Sequence, residues 1–371
     1  MIYFDSASSY PILPEVKREL SAAFDELYAN SSSSHLLGSK VNFEIEKVRE
    51  SLADKIGAYS SEIIFTSGAT ESNNIAFKSL LLSDYTQIKS KHIITTQIEH
   101  KCIFSICSYL ESLGYDVTYL KPNPDGIITA DAVKDAITPY TVLVSVMHVN
   151  NELGSINPIG EIGEVCYKNK IPFHSDAAQS FEKLDINVDE MNIDLMSFSA
   201  QKIGGPKGIG AIYIRDLRSK NIVPVIHGAG QESGVRGGTV AAPLVVGFGC
   251  AIKYFSNYYS GFSKIKAKDL LLNELNRRKI NYQINGNINS LPSCISLTLP
   301  STNVALFIRD NEDKFSLAQG SACSSKQIEA SHVLTAIGLT RQQADNTLRI
   351  SFPLDIKHEE ILTLVDSMEK Y

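Results

Sequence analysis

The feature that most constrains this chain is an alternation. Between residues 61 and 214, seven short apolar, β-rich runs are separated by longer stretches of helical period. The strand candidates lie at 62–66, 92–95, 117–120, 142–146, 171–174, 195–198 and 209–214. Strands alternating with helices build βα units, which pack as a mainly parallel sheet flanked by helices. Sites in such sheets lie beyond the carboxyl ends of the strands. The polar clusters that directly follow these runs are therefore the ones that matter for chemistry.

Further on, 240–255 reads as a long apolar helix, and after a polar stretch at 256–263 the pattern changes. A helix near 264–278, strands near 293–299 and 348–352, and helices near 331–337 and 358–370 follow. We expect a large α/β domain over 13–256 and a small α+β domain made of 1–12 and 257–371, a division that suits a chain of 371 residues.

A formal net charge of −6 offers no basic excess for phosphate backbones or anionic membranes, so neither nucleic acid nor membrane is expected as a partner. The start, Met1 to Asp5, lacks a basic stretch followed by an apolar run, and no later segment reads as a membrane span, so a cytoplasmic location is expected. Six scattered cysteines without a Cys-x-x-Cys pair suggest neither a disulfide framework nor a zinc ribbon.

Three clusters follow strand candidates. The run Thr-Ser-Gly-Ala-Thr-Glu-Ser-Asn-Asn at 66–74 is a strand end, a glycine turn and a helix start. Free N–H groups there, with the Thr70 hydroxyl, suit a phosphate; ordinary helix capping is the alternative. At 173–179, Phe-His-Ser-Asp-Ala-Ala-Gln puts Asp176 at a strand end, where a carboxylate could keep a pyridine nitrogen protonated or simply cap the next helix. Lys202 follows the strand at 195–198 and precedes a glycine-rich stretch that has neither a P-loop ending nor a dinucleotide-binding context. Desolvation near a sheet edge would favour the neutral amine that forms imines, although most lysines are surface groups.

Cradle, acid and lysine occur in that order, and further motifs accompany them: Glu-His-Lys at 99–101, Val-Asn-Asn-Glu-Leu-Gly at 149–154 and Gly-Ser-Ala-Cys-Ser-Ser at 320–325. Together they resemble the fold-type I pyridoxal-phosphate enzymes, within them the class V aminotransferase family, and most closely the cysteine desulfurases. The likeness spans nearly the whole chain. It implies that Lys202 carries pyridoxal 5′-phosphate as an imine and that His100 stacks on its ring. Ala69, Thr70, Ser199 and Gln201 would surround the phosphate, and Asp176 would face the pyridine nitrogen. Asn151 and Gln179 would lie near the ring oxygen and substrate, and Arg349 would clamp the substrate carboxylate. Thr239 would reach the phosphate of a neighbouring subunit, which implies a homodimer.

The same resemblance gives Cys323 the decisive part. With Lys202 as base, L-cysteine would lose its α-proton. Cys323 would then take the sulfur, leaving L-alanine and a persulfide destined for an acceptor protein. The competing readings are a class V aminotransferase or lyase acting on another small amino acid, and an inactive cofactor-binding interaction protein.

Several positions depart from the family pattern. Gln201 stands where His is usual, Ser233 where Arg is common, and 352–356 (Phe-Pro-Leu-Asp-Ile) replaces a Gly-Arg-Phe-Thr-Thr-like run shortly before Tyr371. These departures, with no C-terminal extension expected to dock a scaffold, suggest a specialised desulfurase feeding tRNA thiolation or DNA phosphorothioation, and not the general iron–sulfur supplier. The family loop at 30–35 (Asn-Ser-Ser-Ser-Ser-His) has no assigned role.

Overall fold

A two-residue strand, β1 (Ile2–Tyr3), and two helices, α1 (Pro14–Glu26) and α2 (Leu36–Ile56), open the chain in the computed structural model, which describes residues 1–82, 91–319 and 330–371. Pro14 sits at the first turn of α1, where its missing N–H has no intrahelical partner to lose. The loop at 30–35 has a local role: His35 caps α2, its Nδ1 accepting from Gly38 N at 3.1 Å.

The βα alternation then runs as β2 (Ile63–Thr66), α3 (Ala69–Leu81), β3 (His92–Thr96), α4 (Lys101–Ser112), β4 (Asp116–Leu120), α5 (Ala130–Ala136), β5 (Thr141–Ser145), α6 (Ile159–Lys168), β6 (Phe173–Asp176), β7 (Leu195–Ser199) and β8 (Gly210–Ile214). All seven expected strands form one sheet, in the order β2-β8-β7-β6-β5-β3-β4. The pairings among β3 to β7 are parallel, whereas β8 runs antiparallel to both β7 and β2. Strands β2, β3, β6, β7 and β8 are buried at every residue, as expected where helices cover both faces. One strand is displaced. Ile171 N donates to Cys166 O at 3.0 Å and Lys170 is left-handed at φ 56°, so Ile171 closes the helix and the strand begins two residues later than expected. That shift makes Asp176 the last residue of β6.

Helix α7 (Ala242–Ile265) packs against α1 and α2 and continues through the polar stretch where its end was expected. Tyr259 and Phe262 maintain a buried face there: Tyr259 stacks on Phe255, with ring centroids 5.7 Å apart, and Phe262 reaches Phe352 at 6.4 Å. The chain bends at Lys266, φ 52°, into α8 (Ala267–Arg277).

The remainder comprises β9 (Gln283–Asn285), β10 (Cys294–Thr298), α9 (Val304–Asp310), β11 (Phe315–Ser316), β12 (Ala318–Gln319), α10 (His332–Ala336), α11 (Arg341–Asp345), β13 (Thr347–Ser351) and α12 (His358–Met368). A four-stranded antiparallel sheet, β12-β13-β10-β9, forms here, and β1 pairs in parallel with β11. Among the described residues no helix is long and apolar enough to cross a membrane.

Candidate active site

The carboxyl ends of β3, β5, β6 and β7 open into a cleft of about 480 Å³. Of the residues singled out from sequence, Ala69, Thr70, His100, Asn151, Asp176, Gln179, Ser199, Gln201, Lys202 and Arg349 all line it.

One corner is the start of α3. No side chain caps this helix, and Gly68 before it is left-handed at φ 147°. Its first-turn N–H groups therefore face the cleft, a geometry that favours an anion. Gly210 permits this arrangement, because a side chain there would meet Gly68 Cα at 2.6 Å and Phe198 O at 2.3 Å. Ser199, at the end of β7, comes to the same corner from the neighbouring strand. Glu71 in the first turn pairs with Arg236 at 2.8 Å and accepts from Ser67 N at 2.7 Å, tying the helix start to the Gly-rich segment that carries Thr239.

Asp176 and Lys202 come from adjacent parallel strands, since Asp176 pairs with Ser197 in the register of β6 and β7. Asp176 is buried. Its Oδ1 accepts from Ala178 N at 2.9 Å and its Oδ2 from Asn73 Nδ2 at 2.8 Å. The same Asn73 amide donates to Cys102 Sγ at 3.3 Å.

Lys202 lies on the 3₁₀ turn (Ala200–Ile203) that follows β7. Its Nζ donates to Ala7 O at 2.8 Å and Ser8 O at 2.7 Å. Burial pushes this amine down to about 8, helped by Arg349 and opposed by Asp176 and Asp5. A lysine so placed carries a far larger neutral fraction near neutral pH than a solvated lysine does, and imine chemistry draws on that fraction. Gln179 Nε2 shares the Ala7 carbonyl at 2.7 Å. His100 caps α4, its Nδ1 accepting from Cys102 N at 3.2 Å, which fixes the plane of a ring left exposed to the cleft. Burial holds its pKa below the usual range, against the pull of Asp176, and Lys202 lowers it further.

At the opposite end, Arg349 on β13 is no surface arginine, its side chain being only 12% exposed. It donates from Nη2 to Asp5 Oδ1 at 2.6 Å and to Ser8 Oγ at 2.7 Å, and from Nη1 to Asn151 O at 3.1 Å. Its buried Nε has no partner among the described residues. The residue lines the cleft, and a planar guanidinium there suits an incoming carboxylate.

Two expected residues are not in this gathering. Thr239 is exposed and does not line the cleft of its own chain. Cys323 lies outside the described residues, but Gln319 on one side of its segment and Ala330, Ser331 and His332 on the other line the cleft. Ser331 Oγ donates to Glu152 Oε2 at 2.5 Å, and His332 Nε2 lies 2.9 Å from Glu99 O. At the departing position 233, the serine is exposed with φ 54°, and Arg236 supplies the ion pair of that segment.

Sequence reasoning missed the N-terminal segment of Asp5, Ala7 and Ser8, together with Asn73. Neither carries a conspicuous chemical signature. The only signal was small polar residues beside a β-strand, which is common in loops.

A family model described as Aminotransferase class-V matches residues 2–364, and the chain belongs to that family. The mitochondrial cysteine desulfurase of Candida maltosa is 42% identical over 358 residues, spanning 94% of this chain and 72% of the relative. Cysteine desulfurase IscS of Rickettsia typhi is 41% identical over 367 residues, 97% of this chain and 88% of its own. Among solved structures, "SspA in complex with cysteine" is 43% identical with a TM-score of 0.85, covering 95% of this chain and 99% of that one.

The family depends on pyridoxal phosphate, and the donor set in the cleft fits that group. The uncapped helix start with Thr70 and Ser199 matches its phosphate, and buried Asp176 matches its ring nitrogen. The Lys202 amine, with its lowered pKa, matches its aldehyde.

Proposed function

We propose that this protein removes sulfur from L-cysteine, releasing L-alanine and passing the sulfur from Cys323 to an acceptor protein. One observation supports the reading above the rest. Ser8 holds the imine lysine with its carbonyl and the carboxylate-binding arginine with its hydroxyl, so both groups face one small amino acid.

When bound, pyridoxal phosphate supplies an electron sink that acidifies the substrate Cα–H. The residues of the chain do the rest. Thr70, Ser199 and Gln201 hold the phosphate with the helix start, His100 offers a flat face to the ring, and Asp176 keeps the ring nitrogen protonated. Arg349, which lines the cleft, orients the α-carboxylate with its guanidinium. Lys202, anchored on the Ala7 and Ser8 carbonyls, takes the α-proton. The Cys323 thiolate attacks the substrate sulfur. A sulfur–sulfur bond forms as the carbon–sulfur bond breaks, its electron pair stays with Cβ, which takes a proton, and Lys202 returns a proton to Cα to complete L-alanine.

The reading extends to a homodimer. Support comes from exposed Thr239 on a segment pinned by Glu232, and from the exposed apolar side chains Phe24, Leu36 and Phe43 on α1 and α2 and Tyr28 between them. It also extends to a specialised thiolation pathway, on the strength of Gln201, Ser233 and the unusual 352–356 run; efficient sulfur transfer to a general iron–sulfur scaffold would count against that.

The test is incubation with L-cysteine, with alanine quantified and the mass of Cys323 followed. Alanine with a 32 Da gain on Cys323, both lost in Cys323→Ser, is the expected result. Undiminished alanine and sulfide release by Cys323→Ser would overturn the mechanism.

A further inference from the structure

We propose that Asp5 is a positioning residue for the substrate carboxylate: it fixes the Arg349 guanidinium, and with it the specificity for an amino acid that carries a carboxylate. This rests on the reading of Arg349 given above.

Three observations carry the inference. First, the backbone of β13 is already secured on both sides of Arg349, which pairs with Ser296 of β10 and Ala318 of β12. The fold therefore does not need the guanidinium to be held. Yet the side chain is gripped at three points, by Asp5 Oδ1, Ser8 Oγ and Asn151 O.

Second, Asp5 is itself aimed. Its Oδ1 accepts from Ser8 Oγ at 2.9 Å as well as from Arg349, closing a triangle of three side chains. The segment carrying it is tied to the end of the same strand: Ser351 N donates to Phe4 O at 2.9 Å, Ser6 N to Ser351 O at 3.3 Å and Ala7 N to Ser351 Oγ at 2.9 Å. Asp5 and Arg349 are thus fixed relative to one another by the backbone and do not meet as two free surface chains.

Third, the gripped arginine still lines the cleft, so it is oriented without being withdrawn from the site. A free arginine side chain loses rotamer entropy when it is fixed. An arginine held before binding spares the substrate that cost, which is how preorganisation raises affinity. Asp5 also offsets part of the Arg349 charge. An acid that both neutralises and orients favours the correctly placed carboxylate over any passing anion.

The experiment uses the full chain loaded with pyridoxal phosphate. KM and kcat are measured for L-cysteine. In the Cys323→Ser background, Kd is measured from the change in cofactor absorbance for L-cysteine and for cysteamine, which lacks the carboxylate. Asp5→Ala is expected to raise KM and Kd for L-cysteine about tenfold, with kcat within about threefold and cysteamine binding unchanged. Asp5→Asn keeps an oxygen acceptor for Arg349 and Ser8 and is expected to stay within about threefold of wild type; Asp5→Glu, one methylene longer, is expected to weaken L-cysteine as Ala does. An unchanged KM in Asp5→Ala, or an equal loss for cysteamine, overturns the proposal. Should the alanine variant not fold, the Asn and Glu pair decides, and equal L-cysteine affinities in those two overturn it. Arg349→Lys separates the layers. If it weakens L-cysteine while Asp5→Ala does not, only the role of Asp5 fails. If it leaves L-cysteine unchanged, the clamp reading fails and takes this inference with it.

Discussion

The side-chain amide of Asn73 donates to Asp176 Oδ2 at 2.8 Å, joining the first turns of α3 to the end of β6 beneath the cleft. The carboxylate proposed to face the cofactor is thus held from the helix proposed to bind its phosphate. A hydrogen bond to a charged group contributes roughly 1.5–3 kcal/mol. Asn73→Ala should therefore weaken pyridoxal-phosphate retention by about tenfold or more. Equilibrium dialysis of the cofactor checks this, and a change below twofold would show that Asp176 needs no such support.

A second prediction concerns Glu99, a buried residue whose Oε1 accepts from Thr96 Oγ1 at 3.0 Å and Met147 N at 2.8 Å, while its Oε2 has no partner among the described residues. Burial pushes this carboxyl up to about 8; Asp176 adds to the rise, and the hydrogen bonds from Met147 and Thr96 oppose it. The folded state then binds the proton more tightly than the unfolded chain. Its contribution to stability is complete below the unfolded carboxyl pKa and is lost as pH rises towards about 8. Glu99→Gln removes that dependence. Thermal melts should show the variant gaining on wild type at about pH 8.5 relative to about pH 5.5. A gap that does not change with pH would contradict it.

Lys202 sets the pH dependence of cofactor capture. With its amine pKa lowered to about 8, the reactive neutral fraction grows as pH rises to that value and levels off above it. Cofactor-free protein mixed with pyridoxal phosphate should form its visible imine band roughly tenfold faster per pH unit below about 8, then reach a plateau. A plateau delayed beyond about pH 10 would place the lysine in an ordinary solvated setting. Lys202→Ala should form no such band.

A fourth prediction lies away from the cleft. Arg49 donates to Glu232 twice at 2.8 Å and to Ile63 O at 2.7 Å, and Glu232 also accepts from Phe65 N at 2.6 Å, all in a buried setting. Removing one partner of a buried pair costs about 3–5 kcal/mol, and here Arg49 would keep the half-exposed Glu46, at 3.1 Å from its Nε, so the loss is at most of that order. Glu232→Ala should lose up to that much in denaturant unfolding and should loosen the segment bearing Thr239. Sedimentation would register the second effect as a shift towards monomer. A fully dimeric, equally stable variant would refute it.

How much of this was legible beforehand follows from the kinds of residue involved. Strands β2, β3 and β6 to β8 were visible because apolar runs buried on both faces stand out between helical stretches, the less buried β4 and β5 because their runs are short and β-rich, and Asp176 and Lys202 because chemistry-bearing side chains stand at or just past the ends of two runs. Ile171 was misplaced because an apolar residue closing a helix turn looks like the first residue of a strand. The end of α7 was misjudged because the serines, asparagine and glycine of 256–263 mask Tyr259 and Phe262 on its inner face. The short elements β9, β12, α9 and α11 are too brief to show a period. Asp5, Ala7 and Ser8 were hidden for a different reason. Two of the contacts to Lys202 use main-chain carbonyls, which every residue has, and the contact to Arg349 spans 344 positions along the chain.

That span carries a consequence for how the molecule comes into being. Residues 5 to 8 are synthesised before their partners Arg349 and Ser351, which stand 344 positions later in the chain. Contacts of such long sequence separation form late and slowly. The large sheet can fold with Lys202 in place while the substrate end is still unmade. Given the proposed role of Arg349, a nascent chain would lack its grip on free cysteine until β13 joins the sheet.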